Sequence, residues 1–247
     1  MATFVIVHGA WGGGWEWSPV ADLLREQGHR AFTPTLTGMG ERAHLMRREP
    51  VGLGTHIDDV MAVLEVERLR DVVLCGASYG AMPATGASDR AADRVRRLVY
   101  VDGLVPVPGR SALDLSPGAL ADLVHDGIAA HGPAWRVPMP RALFDAMIPV
   151  GSIPDPVRRD YIDRIRDHPA ASLTEPIHLT DVVASVPKAF IRCTTVDYAR
   201  ELGSDPVARA ADRAREAGWG YREIDVGHDP QVFDPPGIAR LLIELTN

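Results

Sequence analysis

The chain is nearly without lysine: Lys188 is the only one, and arginine supplies the rest of the 26 basic residues. A Walker-type phosphate loop needs Gly-Lys-Ser/Thr, so that chemistry is excluded, and imine catalysis would fall on one amine. Lys188 follows Pro187 at the head of an apolar run, where a solvated edge charge is the plainer role. Cysteine is almost as scarce. Cys75 and Cys193 each sit inside an apolar, strand-like run and read as small buried hydrophobes, not as a disulfide framework. No apolar stretch approaches the ~20 residues a membrane span requires. Met1 to Val7 lacks the basic start and long apolar run of a secretory signal. The nine histidines show no H-E-x-x-H or similar ligand spacing, so no metal is expected. No block of like charges occurs, and a net charge of −7 argues against nucleic acid or an anionic membrane as partner. These absences leave a soluble, cytoplasmic protein that acts on a small molecule, with a homodimer left open.

The composition that is present, 46% hydrophobic and 24% charged over 247 residues, is that of a globular chain. Area scaling predicts roughly 10,800 Å² of folded surface, enough burial for a core without metal or disulfide support. Strand and helix patterns alternate along the first hundred residues. Phe4 to Val7 is a β-branched run. Ser18-Pro19 opens a helix that Gly28 stops. Arg30 to Thr35 is a second strand, Thr55 caps a helix bearing Ile57, Val60, Met61 and Leu64, and Val72 to Cys75 is a continuous apolar strand. Tyr79 to Ser88 is helical and Arg97 to Val101 extended. This order predicts a parallel sheet wrapped by helices with right-handed crossovers. The rhythm breaks between 104 and 186, where prolines separate short amphipathic pieces (Gly118 to Ile128, Arg141 to Met147, Val157 to Arg166). It resumes with Ala189 to Cys193, a helix opened by Asp205-Pro206, the strand Tyr221 to Val226 and a closing helix Gly237 to Leu245. The chain therefore divides into a core of residues 1–103 and 187–247 and a helical cap of residues 104–186.

Gly76-Ala77-Ser78-Tyr79-Gly80 fits G-x-S-x-G, immediately after an apolar strand and before a helix. That context predicts a strained turn that lifts the serine hydroxyl above the carboxyl edge of the sheet. The amide of Tyr79, at a helix start, can then stabilise an oxyanion. Serine needs a base to accept its proton, and Gly227-His228, after the last strand, supplies one. Chain order favours Asp197, in Cys193-Thr194-Thr195-Val196-Asp197, as the acid that orients the imidazole. Asp102, closing Val99-Tyr100-Val101, is the alternative. A second oxyanion donor is expected from the loop His8-Gly9-Ala10-Trp11, with the amide of Ala10 first and Trp11 second. Trp11, Trp135, Met139, Leu143, Phe144 and Met147 are candidates to line the substrate pocket.

These residues carry a resemblance. The sequence resembles the α/β-hydrolase superfamily, and most of all its plant methyl esterase and hydroxynitrile lyase branch with bacterial esterase relatives. The matching stretches are Val7 to Ala10, Gly12 to Trp17, Gly28-His29, the turn at Ser78, Leu98 to Pro106, Phe190 to Thr194 and Gly227 to Pro235. The resemblance implies an α/β-hydrolase fold: a mostly parallel sheet flanked by helices, with the cap inserted after the sixth core strand. It also implies a serine, histidine and aspartate triad and no cofactor. Ala77 stands where relatives carry histidine or glutamate. Asp197 lies one position later than the strand-end aspartate of the family. Asp229 follows His228 where the lyases have lysine, and a negative charge there would repel a leaving cyanide. Two rival readings remain. Gly38-Met39-Gly40-Glu41-Arg42-Ala43 matches a dinucleotide fingerprint, but proline and glycine follow before any good helix. The same fold also supports lyases, cofactor-free oxygenases and ligand receptors.

Overall fold

The computed structural model describes all residues except 47, 48, 196–198, 200–202 and 247. In chain order the elements are β1 (Thr3–Val7), α1 (Ser18–Glu26), β2 (Arg30–Phe32), α2 (Leu53–Val66), β3 (Val72–Ala77), α3 (Ala81–Arg90) and β4 (Val95–Val101). Then come α4 (Ala112–Leu115), α5 (Ala119–His131), β5 (Arg136–Val137), α6 (Arg141–Met147), α7 (Asp155–Arg164), β6 (His168–Pro169) and α8 (Ala170–Thr174). The chain closes with β7 (Lys188–Cys193), α9 (Pro206–Glu216), β8 (Gly220–Ile224), α10 (Pro230–Phe233) and α11 (Pro235–Glu244).

Six strands form one sheet in the order β2-β1-β3-β4-β7-β8, every neighbouring pair parallel. Successive side chains of a strand face opposite sides, and β1 shows the result. Val5 and Val7 join the core beneath α2, α3 and α9, whereas Phe4 and Ile6 pack with Leu24 of α1 and Leu242 of α11. All of β3 is buried, as expected of a central strand covered on both faces. The accessible surface, 10554 Å², matches the area scaling for a compact chain of this length. None of the described helices is long and apolar enough to cross a membrane.

The expected alternation is borne out, with shifts at its ends. The second strand stops at Phe32, because Pro34 has no N–H to extend the ladder. Helix α2 begins at Leu53 behind Gly52, earlier than a cap at Thr55 would place it. The stretch of α4 to α8 follows the fourth strand of this sheet, not a sixth, since only β1, β2 and β3 precede β4. That stretch also holds a two-stranded antiparallel pair, β5 with β6, which the sequence pattern did not announce. Lys188 is not a free edge charge. Its ammonium donates to the carbonyls of Val183 (2.6 Å) and Val186 (2.9 Å), tying down the 3₁₀ turn Asp181–Ser185. Gly40–Leu45 is likewise a 3₁₀ turn, pinned by Arg42 to Asp59 at 2.9 Å, and offers no α-helix start to a pyrophosphate.

Candidate active site

Strand order reverses between β1 and β3, and the loops leaving their carboxyl ends meet at that crevice, where open α/β sheets place ligands. Ser78 follows β3 directly with φ +49°, a left-handed conformation that costs a non-glycine residue roughly 1 kcal/mol or more. The flanking glycines make the turn feasible. A Cβ on Gly76 would lie 2.6 Å from the Cα of Ala81, and one on Gly80 would lie 2.4 Å from the carbonyl oxygen of Val7. The strand, the turn and α3 are thus packed backbone to backbone.

The Ser78 hydroxyl lies 2.8 Å from Nε2 of His228, and Nδ1 of the same ring lies 2.7 Å from Oδ2 of Asp102. Asp102 is fully buried at the end of β4, again at a positive φ of +43°. Its other oxygen accepts from the amide of Cys193 (3.0 Å) and from Arg192 (3.1 Å), whose second nitrogen reaches Asp205 at 2.8 Å. Burial by itself would lower the basicity of His228, but the hydrogen bond and charge of Asp102, helped by Asp229, raise its pKa above the ordinary value. Asp197, favoured by chain order, lies outside the described residues; the structure instead places Asp102 on Nδ1. The reason is topological. Strand β4 pairs directly with β3, so its end lies beside Ser78, whereas β7, which precedes residue 197 in the chain, lies one strand farther out.

On the β1 side, Gly9 packs so closely that a Cβ there would sit 3.2 Å from Cβ of Ser78. The amide of Trp11 is directed at Nδ1 of His168 (3.4 Å) and its indole donates to the carbonyl of Val137 (2.9 Å). Trp11 therefore anchors the loop, while Ala10 and Tyr79 both line the pocket next to Ser78.

That pocket, a cavity of about 90 Å³, is walled by Met139, Leu143, Phe144 and Met147 from the helical stretch, as the sequence suggested, together with Trp11. Trp135 is elsewhere. It stacks on His131 and fills the slot left by Gly127 in α5, where a Cβ would meet its ring at 2.1 Å. Two carboxyl groups, Glu16 and Asp229, and the phenol of Tyr161 also face the cavity. The sequence reading missed Glu16 and Tyr161. Glu16 lay in a matching stretch, but nothing local marks a carboxyl for burial. Arg192, behind Asp102, was missed as well, since an arginine inside a strand carries no signal of its partner.

With the geometry in hand, the comparisons add identity. The sequence profile of the Alpha/beta hydrolase family matches residues 4–241. The chain belongs to that family. It is 37% identical to a carbendazim-hydrolyzing esterase of Nocardioides sp. (strain SG-4G), over 99% of this chain and all of that protein. Methylesterase 9 of Arabidopsis thaliana is 32% identical over 43% of this chain and 41% of its own length. Among solved structures, an extracellular α/β-hydrolase from a Paenibacillus species superposes with a TM-score of 0.80 at 22% identity, covering 99% of this chain and 98% of that one, and so shares the fold.

Proposed function

We propose that this α/β-hydrolase is a serine-dependent carboxylic ester hydrolase that works through an acyl-enzyme on a small apolar or aromatic ester, lactone or thioester. The observation that carries the proposal is the continuous line from Asp102 through His228 to Ser78, with contacts of 2.7 and 2.8 Å at the mouth of an apolar pocket. In this reading Ser78 Oγ attacks the acyl carbon as Nε2 of His228 takes its proton. Asp102 holds Nδ1–H and steadies the imidazolium. The amides of Ala10 and Tyr79 receive the developing oxyanion; one such donor is typically worth about 10²–10³ in turnover. His228 then protonates the departing alkoxide, and water, deprotonated by the same ring, releases the acid. The full-length relative bearing the name esterase points the same way.

The reading includes the cap. Residues 104–186 roof Ser78 through Leu143, Phe144 and Met147, and the core of 1–103 and 187–247 carries the reacting side chains. The test is covalent labelling. A fluorophosphonate should add one adduct mass to the intact protein and none to Ser78→Ala. Absence of labelling at high probe concentration, with the protein folded, would favour a lyase, oxygenase or receptor on the same scaffold.

A further inference from the structure

Three Asp-Pro pairs open helices near the carboxyl end of this chain, and one behaves differently. Asp205 accepts from the amide of Ala208 (2.8 Å) and Asp234 from the amide of Gly237 (2.9 Å), the ordinary work of a helix-capping carboxylate. Asp229, in front of Pro230, makes no such cap. Its side chain lines the pocket beside His228 instead. Oδ1 accepts from Gln231 at 3.1 Å, and Oδ2 is buried with no partner among the described residues, in a residue only 9% exposed. A buried carboxylate oxygen left without a hydrogen bond is costly, and retaining one on a residue of a cavity wall marks a place for a donor.

The surroundings define that donor. Glu16 lies in the same cavity, 7% exposed, and already accepts from the Tyr161 hydroxyl at 2.7 Å. Its pKa is raised well above the ordinary value, by burial first and the charge of Asp229 second. Among the described residues no lysine or arginine lines the cavity; the cation that acts on Glu16 is Arg164, stacked on Trp15 at 4.0 Å. Apart from Ser78, Tyr79, Ser116 and His228 the rest of the wall is apolar, Phe144, Met147 and Ile148 included. An all-carbon ester would leave Asp229 unsatisfied; a nitrogen-bound hydrogen would satisfy it.

Resting on the esterase reading of Ser78, we propose that Asp229, backed by Glu16, is a specificity residue that selects esters carrying an N–H donor close to the scissile carbonyl over isosteric esters with carbon there. The donor is a neutral N–H or an ammonium group, and the test separates the two.

Three methyl esters of similar shape serve as probes: methyl phenylacetate, methyl N-phenylcarbamate and phenylglycine methyl ester in its ammonium form. For wild type and Asp229→Leu, kcat/KM of each nitrogen ester is divided by that of methyl phenylacetate. Intrinsic reactivity, and any effect passed through His228, then cancel between the two proteins. The ratio for the carbamate, the ammonium ester or both should fall about 10–100-fold in the variant, and which of them falls identifies the donor. Ratios within about threefold of wild type for both nitrogen esters overturn the proposal, using that discrimination as the yardstick. Where the leucine variant does not fold, Asp229→Asn is read in the same way, with an expected fall of about fivefold for lost charge assistance. If turnover is too slow to time, inhibition constants against 4-nitrophenyl acetate replace kcat/KM. Nitrogen esters that inhibit no better than the carbon ester overturn the proposal. Failure of the esterase reading looks different: Ser78→Ala would then hydrolyse methyl phenylacetate as wild type does.

Discussion

Three buried histidines and a part-buried one surround the crevice, and they fall into two groups. His8, His56 and His168 lie behind the loop that follows β1, and burial holds each well below the ordinary imidazole value, His8 and His56 at about 4. His228, only part-buried, moves the other way. Their bonding patterns look alike, one nitrogen donating and one accepting. His56 bonds to the Thr37 carbonyl (2.9 Å) and the Tyr79 hydroxyl (2.8 Å), and His168 to the Ser172 hydroxyl (2.8 Å) and the Trp11 amide (3.4 Å). His8 spans the Gly9 carbonyl (2.8 Å) and the Leu36 amide (3.1 Å). Only His228 donates to a carboxylate. A dipole satisfies a neutral ring, whereas a full charge in low dielectric makes a protonated ring affordable. The contrast separates three imidazoles that burial keeps neutral from one whose protonated form a carboxylate supports, as the proposed base requires.

Removing the proton carrier should break the contrast most severely. Ser78→Ala or His228→Ala is expected to lower kcat on a 4-nitrophenyl ester by about 10⁶-fold, the scale for a nucleophile or base acting as a unit. Asp102→Asn should cost about 10⁴-fold by favouring the wrong tautomer of His228. Asp197→Asn, assayed beside it, should stay within about threefold, like other substitutions outside such a unit; the reverse ranking would reinstate Asp197 as the acid. The pH profile sharpens the same point. Protonated His228 cannot accept the serine proton, and its neighbours raise its pKa, so kcat/KM should rise with pH through a midpoint above 6.5. A rate flat down to pH 4 would sink the assignment.

The loop histidines should move stability instead. His56→Phe leaves the Tyr79 hydroxyl and the Thr37 carbonyl without that partner, which should cost about 1–3 kcal/mol in urea unfolding. Turnover should fall less than about tenfold, because no reacting proton passes through that ring. The smallest effect concerns Glu16. Its folded pKa lies above the ordinary 4.5, so the native state binds more protons than the unfolded one between those values. Stability from this group therefore declines as pH rises. Glu16→Gln should gain on wild type in Tm between pH 5 and pH 8, and a difference independent of pH would show that Glu16 carries no raised pKa.

Much of this was legible beforehand, because apolar periodicity and turn chemistry are local. The run Val72 to Cys75 followed by small residues forecast the strand and the turn at Ser78, and α6 falls on Arg141 to Met147 as expected. Gly227-His228 could be nominated from chain order. The choice between Asp102 and Asp197 could not, since each comes after an apolar run and only sheet order says which strand neighbours β3. Trp135 was nominated for the pocket on composition, which cannot distinguish a ring facing a ligand from one filling the notch at Gly127. Lys188 was read as solvated because the carbonyls it caps belong to a turn without a sequence signal.

By itself, then, the sequence determined the alternating parallel sheet, the strained serine and the late histidine, since each follows from the conformational preferences of a few consecutive residues. Tertiary structure alone decided which acid meets His228, which residues wall the cavity, and that Asp229 joins that wall instead of capping its helix. Those depend on the lateral order of strands and on packing between segments far apart in the chain, 150 residues in the case of Ser78 and His228. No local rule carries that information.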